Sequence, residues 1–154
     1  MKKIIVSFIL FVSIPLFSHA DEIQDVQCFF NKYIDAANNY RSDYFDYYSP
    51  DAKIIRVVEK PDGTKESVDI PLEIYKQEAK KSSKFARLRN YKNHYFNIKI
   101  LPFGRDYKVV AMRMPSTSDY KIPAYFVIGK DNCGEWKIKE ESMNTRVQRF
   151  LRNS

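Results

Sequence analysis

The chain has 154 residues, 44% of them apolar, with 26 basic against 19 acidic side chains, two cysteines and four glycines. That is one domain's worth of sequence with enough apolar residues for a proper core. So few glycines exclude a glycine-rich phosphate loop, and the formal charge of +7 is scattered through every segment, so nucleic acid is not an expected partner.

Lys2 and Lys3 precede an apolar run from Ile4 to Phe17, then Ser18, His19 and Ala20, the pattern of a secretory signal peptide cleaved after Ala20. A membrane anchor fits less well, because the run is short, contains Pro15 and leads into Asp21 and Glu22. No cysteine follows it where a lipoprotein anchor would need one, since the first is Cys28. The expectation is a periplasmic or secreted single domain over 21–154, ending in a short basic tail from about 145. In an oxidising compartment Cys28 and Cys133 invite a disulfide, within one chain closing a loop of about 105 residues, worth roughly 4 to 5 kcal/mol in the chain-entropy model, or else joining two molecules.

Ile23, Val26, Phe29, Phe30, Tyr33, Ile34 and Ala37 recur at three- and four-residue intervals, which predicts an amphipathic helix from Asp21 to Tyr40 with Cys28 opposite its apolar stripe. Ser42 starts a short second helix carrying Tyr44, Phe45 and Tyr48, stopped at Ser49-Pro50. The runs 53–59 and 65–70, around Pro61-Asp62-Gly63-Thr64, read as a hairpin. Asp69 is placed to cap a third helix, Pro71 to Ser83. The period then changes to that of strands over 91–101, 107–114, 120–129 and 135–143, an antiparallel meander with Pro123 marking a bulge or an unpaired edge. Arg146, Arg149 and Arg152 fall three apart, a solvated tail with an anionic surface as the alternative.

Helix, helix, hairpin, helix and four strands make an α+β domain with helices on one face of a curved antiparallel sheet. Within that order, Phe30–Ala37, Tyr47–Ile54, Ile70–Tyr75 and Trp136–Ile138 resemble the first helix, helix-to-strand corner, third helix and last strand of the nuclear transport factor 2 (NTF2)-like superfamily. That superfamily includes ketosteroid isomerases, scytalone dehydratase and polyketide cyclases. The resemblance implies a ligand pocket between the helices and the concave sheet face, and a homodimer through the sheet. It also aligns Tyr33 with a carbonyl-polarising tyrosine of the isomerases. Their general-base aspartate falls at about Arg56 and the partner aspartate near Tyr125, so the base for proton abstraction is missing.

Little else in the sequence points to catalysis. With His19 gone, His94 is the one histidine left, which rules out a multi-histidine metal site and makes a catalytic triad depend on a single ring. Glu140 and Glu141 are adjacent on a strand, point to opposite faces and so form no paired acid site. Eleven tyrosines are the unusual component. Tyr33, Tyr47, Tyr75, Tyr95, Tyr107 and Tyr125, with Arg56 and Arg113, are candidates to line a pocket for an aromatic or anionic ligand. No cofactor is called for. The reading is an exported, non-catalytic domain that binds a small ligand or a protein partner; the alternatives are an isomerase or dehydratase using Tyr33 or His94, and an envelope immunity protein.

Overall fold

The computed structural model describes residues 19–152. The leader expected over Met1–Ala20 lies, but for its last two residues, outside the described residues. Helix α1 spans His19–Asn38, a 3-10 helix follows at Ser42–Tyr47, and β1 (Tyr48–Glu59) and β2 (Lys65–Ile70) form the hairpin. Helix α2 (Leu72–Leu88) precedes the meander of β3 (Asn93–Phe103), β4 (Asp106–Pro115), β5 (Ile122–Lys130) and β6 (Trp136–Thr145), and a 3-10 helix at Gln148–Arg152 ends the described chain.

All six strands join one sheet in the order β2-β1-β6-β5-β4-β3. Every neighbouring pair is antiparallel except β1 and β6, which run parallel, so the sheet is mixed rather than purely antiparallel. The helices cover one face. Val26, Phe30, Tyr33 and Ala36 of α1 are buried, at the spacing that puts them on one helical stripe. Phe30 meets Phe126 of β5 with ring centroids 4.9 Å apart and Tyr95 of β3 at 5.5 Å. Ile54, Val109, Ile128 and Ile138 complete the core beneath them.

Several boundaries differ from the sequence reading for identifiable reasons. Tyr48 belongs to β1 rather than to the preceding helix, and Ser49-Pro50 falls inside that strand, where the pairing with β6 shifts register between Tyr48 and Lys53. Asp69 does not cap α2: it pairs with Ile55 in the hairpin, and Pro71 holds the N-cap position without a side-chain bond. Pro123 sits near the start of β5 opposite Met112, before pairing with β6 begins at Ala124. There its missing N–H costs no ladder bond on the β6 side. The β5 irregularity lies instead between Val127 and Ile128.

The C-terminal stretch keeps Arg146, Arg149 and Arg152 exposed, as a solvated face requires, but it is held to the domain by the residues between them. Phe150 and Leu151 pack against the core cluster, and Gln148 Nε2 donates to the Glu59 carbonyl at 2.8 Å. Both helices end with a residue in the left-handed region, Tyr40 (φ 53°) and Asn90 (φ 46°). In each, the next N–H reaches back five residues, Arg41 to Ala36 at 3.0 Å and Tyr91 to Ala86 at 2.9 Å, the Schellman closure. Tyr40 also ties the two ends together: its hydroxyl donates to the Ala86 carbonyl at 2.9 Å, while Arg87 stacks on its ring and donates to its carbonyl at 2.7 Å.

Candidate functional site

The concave face is organised around one carboxylate. A bulge near Lys139 pairs Ile128 with Ile138 but Val127 with Glu140, so one extra residue on β6 resets the alternation. Ile138 and Glu141, three apart, thereby both point inward, and both are fully buried. Glu141 Oε1 accepts from Arg56 Nη2 of β1 at 2.6 Å. Its Oε2 accepts from the hydroxyls of Tyr33, at 3.0 Å, and Tyr48. The tyrosines are linked in turn: Tyr33 to Tyr48 at 2.9 Å and to Tyr44 at 3.2 Å, Tyr44 to Tyr48 at 3.0 Å and to Tyr75 at 3.3 Å. Arg56 also lies 5.0 Å from the Tyr75 ring centroid.

Charges in this network are fixed. Burial, then the field of Glu141, pushes the Tyr33, Tyr48 and Tyr75 hydroxyls up from the ordinary value of 10.0; for Tyr44 burial leads, followed by Tyr75 and Glu141. All four therefore stay protonated donors at neutral pH. Burial alone would lower the Arg56 guanidinium, but the adjacent Glu141 outweighs it and the net shift is upward. A buried ion pair of this kind survives because its remaining lone pairs are satisfied, here by tyrosine hydroxyls.

Over the network lies a cavity of about 280 Å³ between α2 and the concave face. Tyr33, Tyr44, Arg56, Tyr75, Tyr95 and Arg113 contribute to its wall, and Val147, Arg149 and Phe150 close one end. It shares Tyr44, Tyr75 and Asn93 with a groove of about 560 Å³ running between the ends of α1 and α2. Helix α2 is lightly anchored, with Leu72 its one buried residue. Glu141 and Tyr48 do not line the cavity; they stand one layer behind it.

Of the residues singled out in the sequence, Tyr33, Arg56, Tyr75, Tyr95 and Arg113 come together here. Tyr47 instead packs on Phe29, with ring centroids 5.5 Å apart, and Tyr107 is buried with its hydroxyl donating to Glu22 at 2.7 Å. Tyr125 is on the opposite, convex face, donating to Glu140 at 2.7 Å beneath the Lys108 ammonium. His94 is exposed on edge strand β3, away from Tyr33. Cys28 and Cys133 are free and exposed, which corrects the expected disulfide. Cys28 faces outward from α1 as its phase requires, and Cys133 sits at the tip of the β5–β6 turn, its N–H bonded to Asp131 Oδ1 at 2.9 Å. Among the described residues no cluster of acids, cysteines and histidines is suited to a metal ion.

The central residue, Glu141, was missed by sequence reasoning, along with Tyr44 and Tyr48. Strict alternation from Ile138 carries Glu140 inward and Glu141 outward. The signal that could have found it is the run Glu140-Glu141-Ser142-Met143, polar where a core strand should be apolar.

No family model matches the sequence, and no curated protein is significantly similar to it. Solved structures are similar in fold. An NTF2-like protein with a cystatin-like fold from Novosphingobium aromaticivorans superposes with a TM-score of 0.56 at 9% identity, over 81% of this chain and 82% of that one. ActVI-ORFA from Streptomyces coelicolor gives 0.55 at 8% identity, over 80% and 94%. A protein from Catenulispora acidiphila in complex with S-DNPA gives 0.51 at 12% identity, over 81% and 93%. The chain thus has the NTF2-like, cystatin-like cone fold.

Proposed function

We propose that this is an exported, non-catalytic NTF2-like domain that binds a small organic ligand in the cavity between α2 and the concave sheet face. The observation that carries this reading is the state of Glu141. It lies behind the cavity wall with both oxygens bonded, by Arg56, Tyr33 and Tyr48, so it anchors the wall instead of exchanging protons with a ligand. Glu78, the carboxylate that does line the cavity, is paired with Lys81 at 2.9 Å, and that bond holds its carboxyl below the usual range. An isomerase or dehydratase would need a free base beside a polarising donor, and Tyr33 and His94 do not share a cavity. What remains is apolar area with oriented hydroxyl and guanidinium donors, the make-up of a binding pocket. Export rests on the charged start and apolar run before Asp21.

Thermal-shift screening of small ring compounds tests the reading, with Ala79→Trp as the comparison, since Ala79 lines the cavity from a half-buried position on α2. Compounds that raise the melting temperature of the wild type should lose that effect when the indole fills the space. Ligands that stabilise both proteins equally would overturn it, and would direct attention to the exposed Phe85 and Leu88 on α2.

A further inference from the structure

Two guanidiniums reach this cavity from the sheet, and they are in opposite electrostatic states. Arg56 is neutralised by Glu141 at 2.6 Å. Arg113, on β4, makes no ion pair among the described residues. Its Nη1 donates to two neutral oxygens, Asn93 Oδ1 at 2.8 Å and the Tyr91 hydroxyl at 3.3 Å. Its Nε is buried without a hydrogen-bond partner, and no described residue bonds its Nη2. The guanidinium charge is thus uncompensated by any carboxylate among the described residues, and Nη2 is a further N–H group left without an acceptor.

The support of Arg113 is built, not incidental. Asn93 is locked to α1 by two bonds to Asn38, its N–H donating to Oδ1 at 2.8 Å and its carbonyl accepting from Nδ2 at 3.0 Å. Asn93 thereby presents a fixed acceptor to Nη1, and with Nε sealed inside the wall the donor left for a ligand is Nη2, suited to a charge-assisted bond to a carboxylate. Tyr95 is the register partner of Arg113 on β3. Its hydroxyl takes no protein hydrogen bond among the described residues, and burial, then Glu141, keeps it protonated as a further donor. Ile34, Tyr75, Met143 and Phe150 supply apolar wall. At roughly 30 Å³ per water, the volume corresponds to about nine waters, room for a single ring with its acid group.

On the strength of the ligand-binding reading above, we infer that the cavity selects a small aromatic monocarboxylate, its carboxylate held by Nη2 of Arg113 with the Tyr95 hydroxyl as second donor, and its ring by Tyr75 and Met143. Arg149, which also lines the cavity and has no ion pair among the described residues, adds positive potential at the rim.

The test titrates 4-hydroxybenzoate and its neutral amide, 4-hydroxybenzamide, into wild-type protein and Arg113→Gln by calorimetry. The acid should bind wild type at least about tenfold more tightly than the amide, and lose about tenfold or more in the variant, the scale of a charge-assisted bond. The amide should be indifferent to the substitution. Should Arg113→Gln fail to fold, Arg113→Lys keeps the charge but removes the planar Nη2 donor, and the wild-type acid-to-amide ratio stands without either variant. Equal binding of acid and amide overturns the carboxylate assignment and leaves the cavity reading intact; binding of neither overturns both.

Discussion

Glu140 and Glu141 are neighbours in the chain and opposites in the fold. Each accepts from tyrosine, Glu140 from Tyr125 on the convex face and Glu141 from Tyr33 and Tyr48 on the concave one. Glu140 is half-buried, and the Tyr125 ring that bonds it lies under Lys108. Glu141 is sealed from water and has both oxygens bonded, Oε1 by one arginine and Oε2 by two tyrosine hydroxyls. The same residue pair is thus peripheral on one face and structural on the other, and burial makes the difference.

The largest break in that comparison comes from removing each carboxylate. Glu141→Ala leaves Arg56 as an uncompensated buried charge and should cost about 3–5 kcal/mol in chemical denaturation, while Glu140→Ala stays within about 0.5 kcal/mol. Equal effects would mean that Glu141 is not the keystone of the concave face.

Alkaline pH tests the tyrosines as a group. Their folded pKa values lie above the unfolded value of 10.0. The stability they contribute is therefore fully present below about pH 10 and is lost as pH rises through the folded values, because the unfolded chain releases protons first. Tyrosinate absorbance from the buried set should therefore appear together with loss of tertiary circular dichroism. Titration of these tyrosines without unfolding would contradict the network.

Single hydroxyls give a finer contrast. Tyr33→Phe removes a buried donor to Glu141 and should cost about 1–3 kcal/mol, whereas Tyr125→Phe on the convex face should change stability by less than about 0.5 kcal/mol. The smallest effect is expected at the cysteines. Because Cys28 and Cys133 are free and exposed, Cys28→Ser, Cys133→Ser and added reductant should each leave the melting temperature unchanged. A drop on reduction would restore the disulfide.

Much of the architecture was legible because its elements obey their periods. The α1 stripe, the Pro61–Thr64 turn and the four-strand meander follow from spacing and turn chemistry; Tyr75, Tyr95, Arg56 and Arg113 follow from residue type, and Tyr33 from the superfamily resemblance. What escaped is where a period breaks. The bulge near Lys139 turns Glu141 inward against simple alternation, and the irregularity between Tyr48 and Lys53 moves Tyr48 from helix to strand and into the network. A bulge is set by tertiary pairing as much as by local sequence, so alternation cannot foresee it. Tyr125 shows the converse: on β5 it alternates with buried Ala124 and Phe126, which places it on the convex face, a phase that residue type alone does not register.

The central claim, that the concave face is the binding face, is tested most directly by nuclear magnetic resonance titration of isotope-labelled protein with 4-hydroxybenzoate, following backbone and tyrosine signals on both faces. The account predicts saturable shifts clustered at Tyr75, Tyr95, Arg113 and Met143, with Val110, Tyr125 and Glu140 unmoved. Shifts confined to the convex face or to the Phe85–Leu88 side of α2, or no shifts at all, would contradict it.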